Sequence, residues 1–159
     1  MHKGMAMNFT PHDYQQAAID FVKKNRSSAL LLDCGLGKTI IVLTAIKEMK
    51  IGPVLVVAPK LVVGSWIREV AKWDHLKDLT IVAVEGNEEE RVRALKTKGL
   101  IHVISRDNIA WLSKICDLNQ FAMIVMDESS SFKDESSART AALIGHTHPR
   151  KGFAGRKST

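Results

Sequence analysis

Ala29-Leu30-Leu31-Leu32-Asp33-Cys34-Gly35-Leu36-Gly37-Lys38-Thr39 decides how the rest of the chain is read. An apolar run passes into two closely spaced glycines, a Lys and a Thr. Residues 38–49 then read as a helix until Gly52-Pro53 stops them. Strand, glycine-rich turn and helix, in that order, are the context of a phosphate-binding loop. The glycines let backbone N–H groups turn toward phosphate oxygens, and the helix start adds a partial positive charge. Lys38 is placed to reach the β- and γ-phosphates of a nucleotide, and the Thr39 hydroxyl to ligate magnesium. Leu32 stands where the strict pattern has glycine. The bland alternative is a glycine-rich turn with a surface lysine, which leaves the agreement of strand, glycines, Lys and Thr unaccounted for.

Met123-Ile124-Val125-Met126-Asp127-Glu128 supplies the second half of the argument. A buried strand that ends in two adjacent carboxylates needs a reason, because unpaired buried charge is costly. Magnesium and a water nucleophile give one: Asp127 would hold the metal, and Glu128 would orient or deprotonate the water. Alone, such a strand reads as one leading to a solvated turn. With the phosphate loop, it points to a nucleoside triphosphate.

Outward from these two stretches the same alternation recurs. Thr10-Pro11-His12-Asp13 reads as a helix start with Thr as cap, followed by Tyr14, Ala17, Ala18, Phe21 and Val22 on one apolar face. Val54–Ala58 is a strand closed by Pro59. A helix around residues 64–73 sets Trp66, Val70 and Trp73 on one side, as core rather than as stacking platforms. Ile81–Val84 is a strand, and Asn87 with Glu90 caps a charged helix ending at Gly99. His102–Ile104 is a strand, Asp107–Ile115 a helix, Met123–Met126 a strand and Ser136–Leu143 the last helix. Wholly apolar strands separated by helix-length segments predict an α/β fold whose parallel sheet is covered on both faces.

The chain has 159 residues, 45% apolar and 25% charged, the proportions of one globular domain. The longest apolar run, Phe121–Met126, falls far short of the about 20 residues of a membrane helix. Met1–Asn8 lacks the apolar core of a secretory signal, so a cytoplasmic location with no membrane partner is expected. Two cysteines make neither a disulfide scaffold nor a Cys-rich zinc site. The net charge is +6, but Arg150, Lys151, Arg156 and Lys157 supply four of the positive charges in the last ten residues. The rest of the chain holds 19 basic against 17 acidic residues, which says little about nucleic acid. Composition changes at Gly145, dividing a lobe of residues 8–145 from a loose basic tail of 146–159. His146 and His148 in that tail have no carboxylate or Cys partners for a metal site.

These residues resemble the N-terminal RecA-like lobe of Swi/Snf-type helicase-like ATPases of helicase superfamily two, most nearly its short phage-encoded members. The resemblance covers residues 8 to about 144. Asp33 to Thr39 is similar to the family's first motif, and Val54–Pro59 with Gly64-Ser65-Trp66 through Trp73 to the next. Ile104-Ser105-Arg106-Asp107 resembles a following short motif, and Asp127-Glu128 through Phe132-Lys133 the Asp-Glu box. The resemblance implies a three-layer P-loop fold, with ATP and magnesium held by Cys34, Gly35, Leu36, Gly37, Lys38, Thr39 and Ile40. It gives Thr39 and Asp127 to the metal and Lys38 and Glu128 to catalysis. It also implies that Gln15 reads the adenine edge, with Phe9 as a weaker candidate for stacking on the base. Lys60, Ser65, Ser105 and Arg106 match positions that touch the backbone of duplex DNA.

Two departures accompany the match. Ser130 stands where the family commonly has His, which puts coupling between motifs in doubt. The chain also ends before the third motif and the second lobe, so the sheet is expected to be incomplete. The implied function is ATP hydrolysis driving DNA translocation or remodelling in a complete protein, with a second RecA-like lobe in cis or in trans. That lobe would supply the arginine finger, a role for which Arg150 and Arg156 are not put forward. The alternatives are a non-hydrolysing nucleotide- or DNA-binding fragment, or a P-loop protein of another kind. Cys34, inside the loop, is read as a packing residue open to reaction.

Overall fold

A computed structural model describes residues 6–25, 28, 30, 32 and 35–127. Among these residues, α1 (Asp13–Lys24), α2 (Lys38–Met49), β1 (Val54–Ala58), α3 (Val63–Lys72), β2 (Ile81–Val84), α4 (Glu88–Lys96), β3 (Ile101–Ser105), α5 (Ile109–Ile115) and β4 (Met123–Met126) follow one another. All strand pairings are parallel, in the order β2-β3-β1-β4. The two central strands, β1 and β3, are buried at every residue, and β2 and β4 are only partly covered. Burial does not simply follow composition: β1 is wholly apolar, the equally buried β3 includes His102 and Ser105, and the partly covered β2 and β4 carry no polar residue.

Alternate residues of the sheet feed two cores. Val54, Val56, Ala58, Ile101 and Val103 pack with Ile40, Leu43 and Ile46 of α2 and with Val63, Trp66 and Val70 of α3. Leu55, Val57, Val84 and Ile104 pack on the opposite face with Ile109 and Leu112 of α5 and with Leu118. A third cluster joins Ile19 and Val22 of α1 to Ile41 and Ala45 of α2, with Leu30, Leu32 and Met123 against it. Helix α2 is therefore enclosed between α1 and the sheet, which explains its apolar residues on nearly every side. Among the described residues no helix is long and apolar enough to cross a membrane.

Several helix ends differ from the sequence expectation, each for a local reason. His12, not Thr10, caps α1, because Gln15 at the third helical position returns its side chain to the His12 N–H. Helix α4 starts on the expected Asn87–Glu90 reciprocal cap but ends at Lys96 instead of Gly99. The segment after β3 begins as a 3-10 turn, Arg106–Asn108, capped by Ser105, so α5 starts at Ile109 and not at Asp107. Trp73 lies just past α3 in extended conformation. The expected strand at Ala29–Leu32 and helix at Ser136–Leu143, and the 146–159 tail, lie wholly or partly outside the described residues.

Candidate functional site

In an all-parallel sheet every strand delivers its C-terminal loop to one edge, where open α/β sheets bind ligands. Ala58 pairs with Ser105, and Met126 with Val57, so the segments Pro59-Lys60, Ser105-Arg106 and Asp127 leave the sheet side by side. The Asp127 N–H donates to the Val57 carbonyl at 2.9 Å, which extends the ladder by one residue and fixes that backbone.

The glycine loop before α2 is shaped by two positive-φ glycines, Gly35 at +85° and Gly37 at +77°. Gly37 is also the N-cap of α2, and no side chain caps the helix start. A Cβ at Gly37 would lie 2.9 Å from Gln15 Nε2, so both conformation and space demand glycine there. Among the described residues a Cβ at Gly35 would meet nothing within 4 Å, and its φ alone argues for glycine. Two donors from α1 converge on the Leu36 carbonyl: Tyr14 Oη at 3.3 Å and Gln15 Nε2 at 3.5 Å. Lys38 Nζ donates to the Leu32 carbonyl at 2.7 Å, folded back across its own loop. Thr39 is half-buried in the first turn. The Ile40 side chain is 3% exposed, packed in the core with its Cγ2 against Gly37.

Gln15 does not face solvent: it is 7% exposed, with Oε1 accepting from the His12 N–H at 3.0 Å. An amide has two donors and two lone pairs, so capacity remains for a base edge. Phe9 is engaged elsewhere, edge-on to Trp73 at 5.3 Å and stacked on His75 at 5.1 Å. The aromatic beside the loop is Tyr14, half-exposed and stacked on His12 at 5.9 Å.

Asp127 is half-buried, and its Oδ2 accepts from the Trp66 indole at 2.9 Å. Sequence reasoning assigned Trp66 to the core, where it lies at 2% exposure. It missed the second partnership, although a buried indole N–H nearly always finds an acceptor. Glu128 and Cys34 lie outside the described residues.

The four residues matched to DNA contacts divide by burial. Lys60 is exposed and Arg106 half-exposed. Ser65 Oγ accepts from Arg68 at 2.8 Å, which adds to the start of α3 a cation the sequence reading did not select. Ser105 is 3% exposed, and its hydroxyl caps the following turn by accepting from the Asp107 N–H at 3.3 Å. Its side chain fixes the loop that carries Arg106.

A three-layer parallel sheet with a glycine loop opening a buried helix defines a RecA-like α/β lobe. Residues 14–151 match the model of the SNF2-related domain, and the chain belongs to that family. It is 34% identical over 152 residues to protein p41 of Acyrthosiphon pisum secondary endosymbiont phage 1, covering 88% of this chain and 33% of that protein. It is 28% identical to the ISWI chromatin-remodeling complex ATPase ISW1 of Saccharomyces cerevisiae, over 76% of this chain and 11% of that one. The SWI/SNF-related matrix-associated actin-dependent regulator of chromatin subfamily A-like protein 1 of Bos taurus is 33% identical, over 82% and 14%. The Sulfolobus solfataricus SWI2/SNF2 ATPase core, solved in complex with dsDNA, shares the fold with a TM-score of 0.67 at 23% identity. That match covers 82% of this chain and 28% of the other. The chain thus spans a third or less of the length of these relatives.

Proposed function

We propose that this chain is the ATP-binding lobe of a DNA-dependent ATPase, with magnesium-ATP held by the loop and first helical turn, residues 34–40. The observation that carries the reading is Gly37: a left-handed N-cap packed against Gln15 at the start of a helix that no side chain caps. Helix starts of that kind present N–H donors to an anion. Lys38 would leave the Leu32 carbonyl for phosphate oxygens, and Thr39 and Asp127 would hold the metal. Gln15 would offer its remaining donor and lone pairs to adenine. Bound magnesium-ATP supplies the phosphoryl group that water attacks, and Glu128 orients that water.

Lys60, Ser65 and Arg106, on neighbouring loops of one sheet edge, would meet the phosphate backbone of duplex DNA, with Ser105 positioning Arg106. Arg68 joins them. The p41 relative is three times as long, so movement along DNA belongs in this proposal to the whole protein, with a second lobe in cis or in trans. Turnover by these 159 residues alone would be slow. The test is binding of a fluorescent ATP analogue with magnesium to wild type and Lys38→Ala. Loss of a charge-assisted bond of about 1.5–3 kcal/mol predicts roughly ten- to hundredfold weaker binding. Equal binding by two folded proteins would exclude the site.

A further inference from the structure

The three indole N–H groups of the chain are satisfied in different ways. Trp73, just past α3, donates back to Glu69 of that helix at 2.7 Å, and Trp111 to Glu88 at 3.3 Å. Both acceptors are flexible glutamates on helices. Trp66 instead donates to Asp127, a short side chain at the end of β4, 61 residues away in sequence. Asp127 is therefore held twice, its backbone by Val57 of β1 and its carboxylate by α3.

Helix α3 has ten residues and is anchored to the sheet by Val63, Trp66 and Val70. Its first turn carries Ser65 and, one turn on, Arg68, and the 3-10 turn leading into it begins with Lys60. A phosphate-facing group and the donor to Asp127 are thus consecutive residues, Ser65 and Trp66, of one short rigid element. We propose that Trp66 is a positioning residue that fixes the Asp127 carboxylate for magnesium and ties it to the DNA-facing turn of α3. This rests on the functional reading above. The indole donates to Oδ2, so that Oδ1 is the oxygen that would turn to a cation or its water. Any shift of α3 when Lys60 and Ser65 take up a phosphate backbone moves the same donor. Linkage makes the effect mutual: whatever factor DNA adds to magnesium-nucleotide affinity, magnesium-nucleotide adds to DNA affinity.

The experiment is an amide and indole NMR spectrum of the 159-residue chain, with the Trp66 indole signal assigned by its loss in Trp66→Phe. Asp127→Asn should displace that signal. A non-hydrolysable ATP analogue with magnesium should displace it too, and the analogue with a chelator should not. Duplex DNA without nucleotide should also move it, and Lys60→Ala should remove that response. In Trp66→Phe, the magnesium needed for half-maximal analogue binding should rise about 10–100-fold, as when a partner behind a metal ligand is lost. Metal-free affinity should stay unchanged. Trp111→Phe, which removes an indole elsewhere, should leave the magnesium requirement as in wild type. If the Trp66 signal stays fixed while magnesium and analogue bind, or if Trp66→Phe keeps the wild-type metal requirement, the bond only satisfies a buried indole and the proposal is wrong. If Trp66→Phe does not fold, the wild-type titrations and Asp127→Asn still decide. Absence of any analogue binding would overturn the functional reading and this proposal with it, whereas binding without a Trp66 response overturns this proposal alone.

Discussion

Replacing Gly37 by Ala separates backbone strain from side-chain crowding in the phosphate loop. At φ +77° an alanine is in the left-handed region, which costs an L-residue about 1–2 kcal/mol. Its Cβ would also press on Gln15 Nε2 at 2.9 Å and Ile40 Cγ2 at 3.0 Å. Ile40 is locked in the core, so the Gln15 amide must give way, weakening its bonds to Leu36 and to His12. Losing the equivalent of one such bond adds about 1 kcal/mol. Gly37→Ala should therefore destabilise by about 2–3 kcal/mol. Gly35→Ala, with φ +85° and open space, should lose only the backbone part, about 1–2 kcal/mol. In a Gln15→Ala background only the Ile40 contact remains, and the added effect of Gly37→Ala should fall by about 1 kcal/mol, toward that of Gly35→Ala. Urea unfolding of the four-member cycle measures the coupling, expected at about 1 kcal/mol. Equal effects of Gly37→Ala with and without Gln15 would refute the contact between α1 and the loop.

Three other outcomes are expected. Burial, reinforced by the Lys47 ammonium, holds the His75 imidazole below its ordinary value of 6.5, and its Nε2 pairs with Thr44 Oγ1 at 3.0 Å. The unfolded chain takes up that proton first, so stability from His75 is complete above pH 6.5 and falls as pH drops toward the folded value. Thermal unfolding from pH 8 to 5 should show a shallower loss in His75→Gln, and parallel curves would remove the assignment. Lys60→Ala and Arg106→Ala should each weaken duplex binding alike across sequences and lower the salt slope by about 1, and an unchanged slope would exclude the residue from the interface. Gln15→Ala should lose any preference for ATP over GTP in competition, and a mutant that still discriminates would release Gln15 from that role.

The four described strands and their order of appearance were legible because β1, β2 and β4 are wholly apolar and β3 keeps Ile101, Val103 and Ile104, the pattern of a sheet covered on both faces. The start of α2 at Lys38 was legible from the glycines before it. What escaped notice depended on contacts distant in sequence or on the choice between competing caps. Thr10 and His12 are both possible starts for α1, and only the reach of Gln15 selects His12. Ser105 was selected only because it matches a DNA-contact position of the resembling family, and its place at the end of a central strand buries it. Phe9 has no local pattern at all, and its neighbours Trp73 and His75 come from beyond α3. The Trp66–Asp127 bond spans α3 and β4, and periodicity within either element cannot express it.

Helix α2, enclosed between α1 and the sheet, has few flanks from which to fray. Its amides should exchange with solvent only when the lobe opens as a whole, so α2 should mark the slowest class in hydrogen exchange. A ligand seated on its first turn would then brace the entire lobe rather than one loop. At a hundred times its dissociation constant, such a ligand adds about 2.7 kcal/mol to the opening free energy. Protection deep in β1 and β3 would then report occupancy of the loop through the helix packed on them.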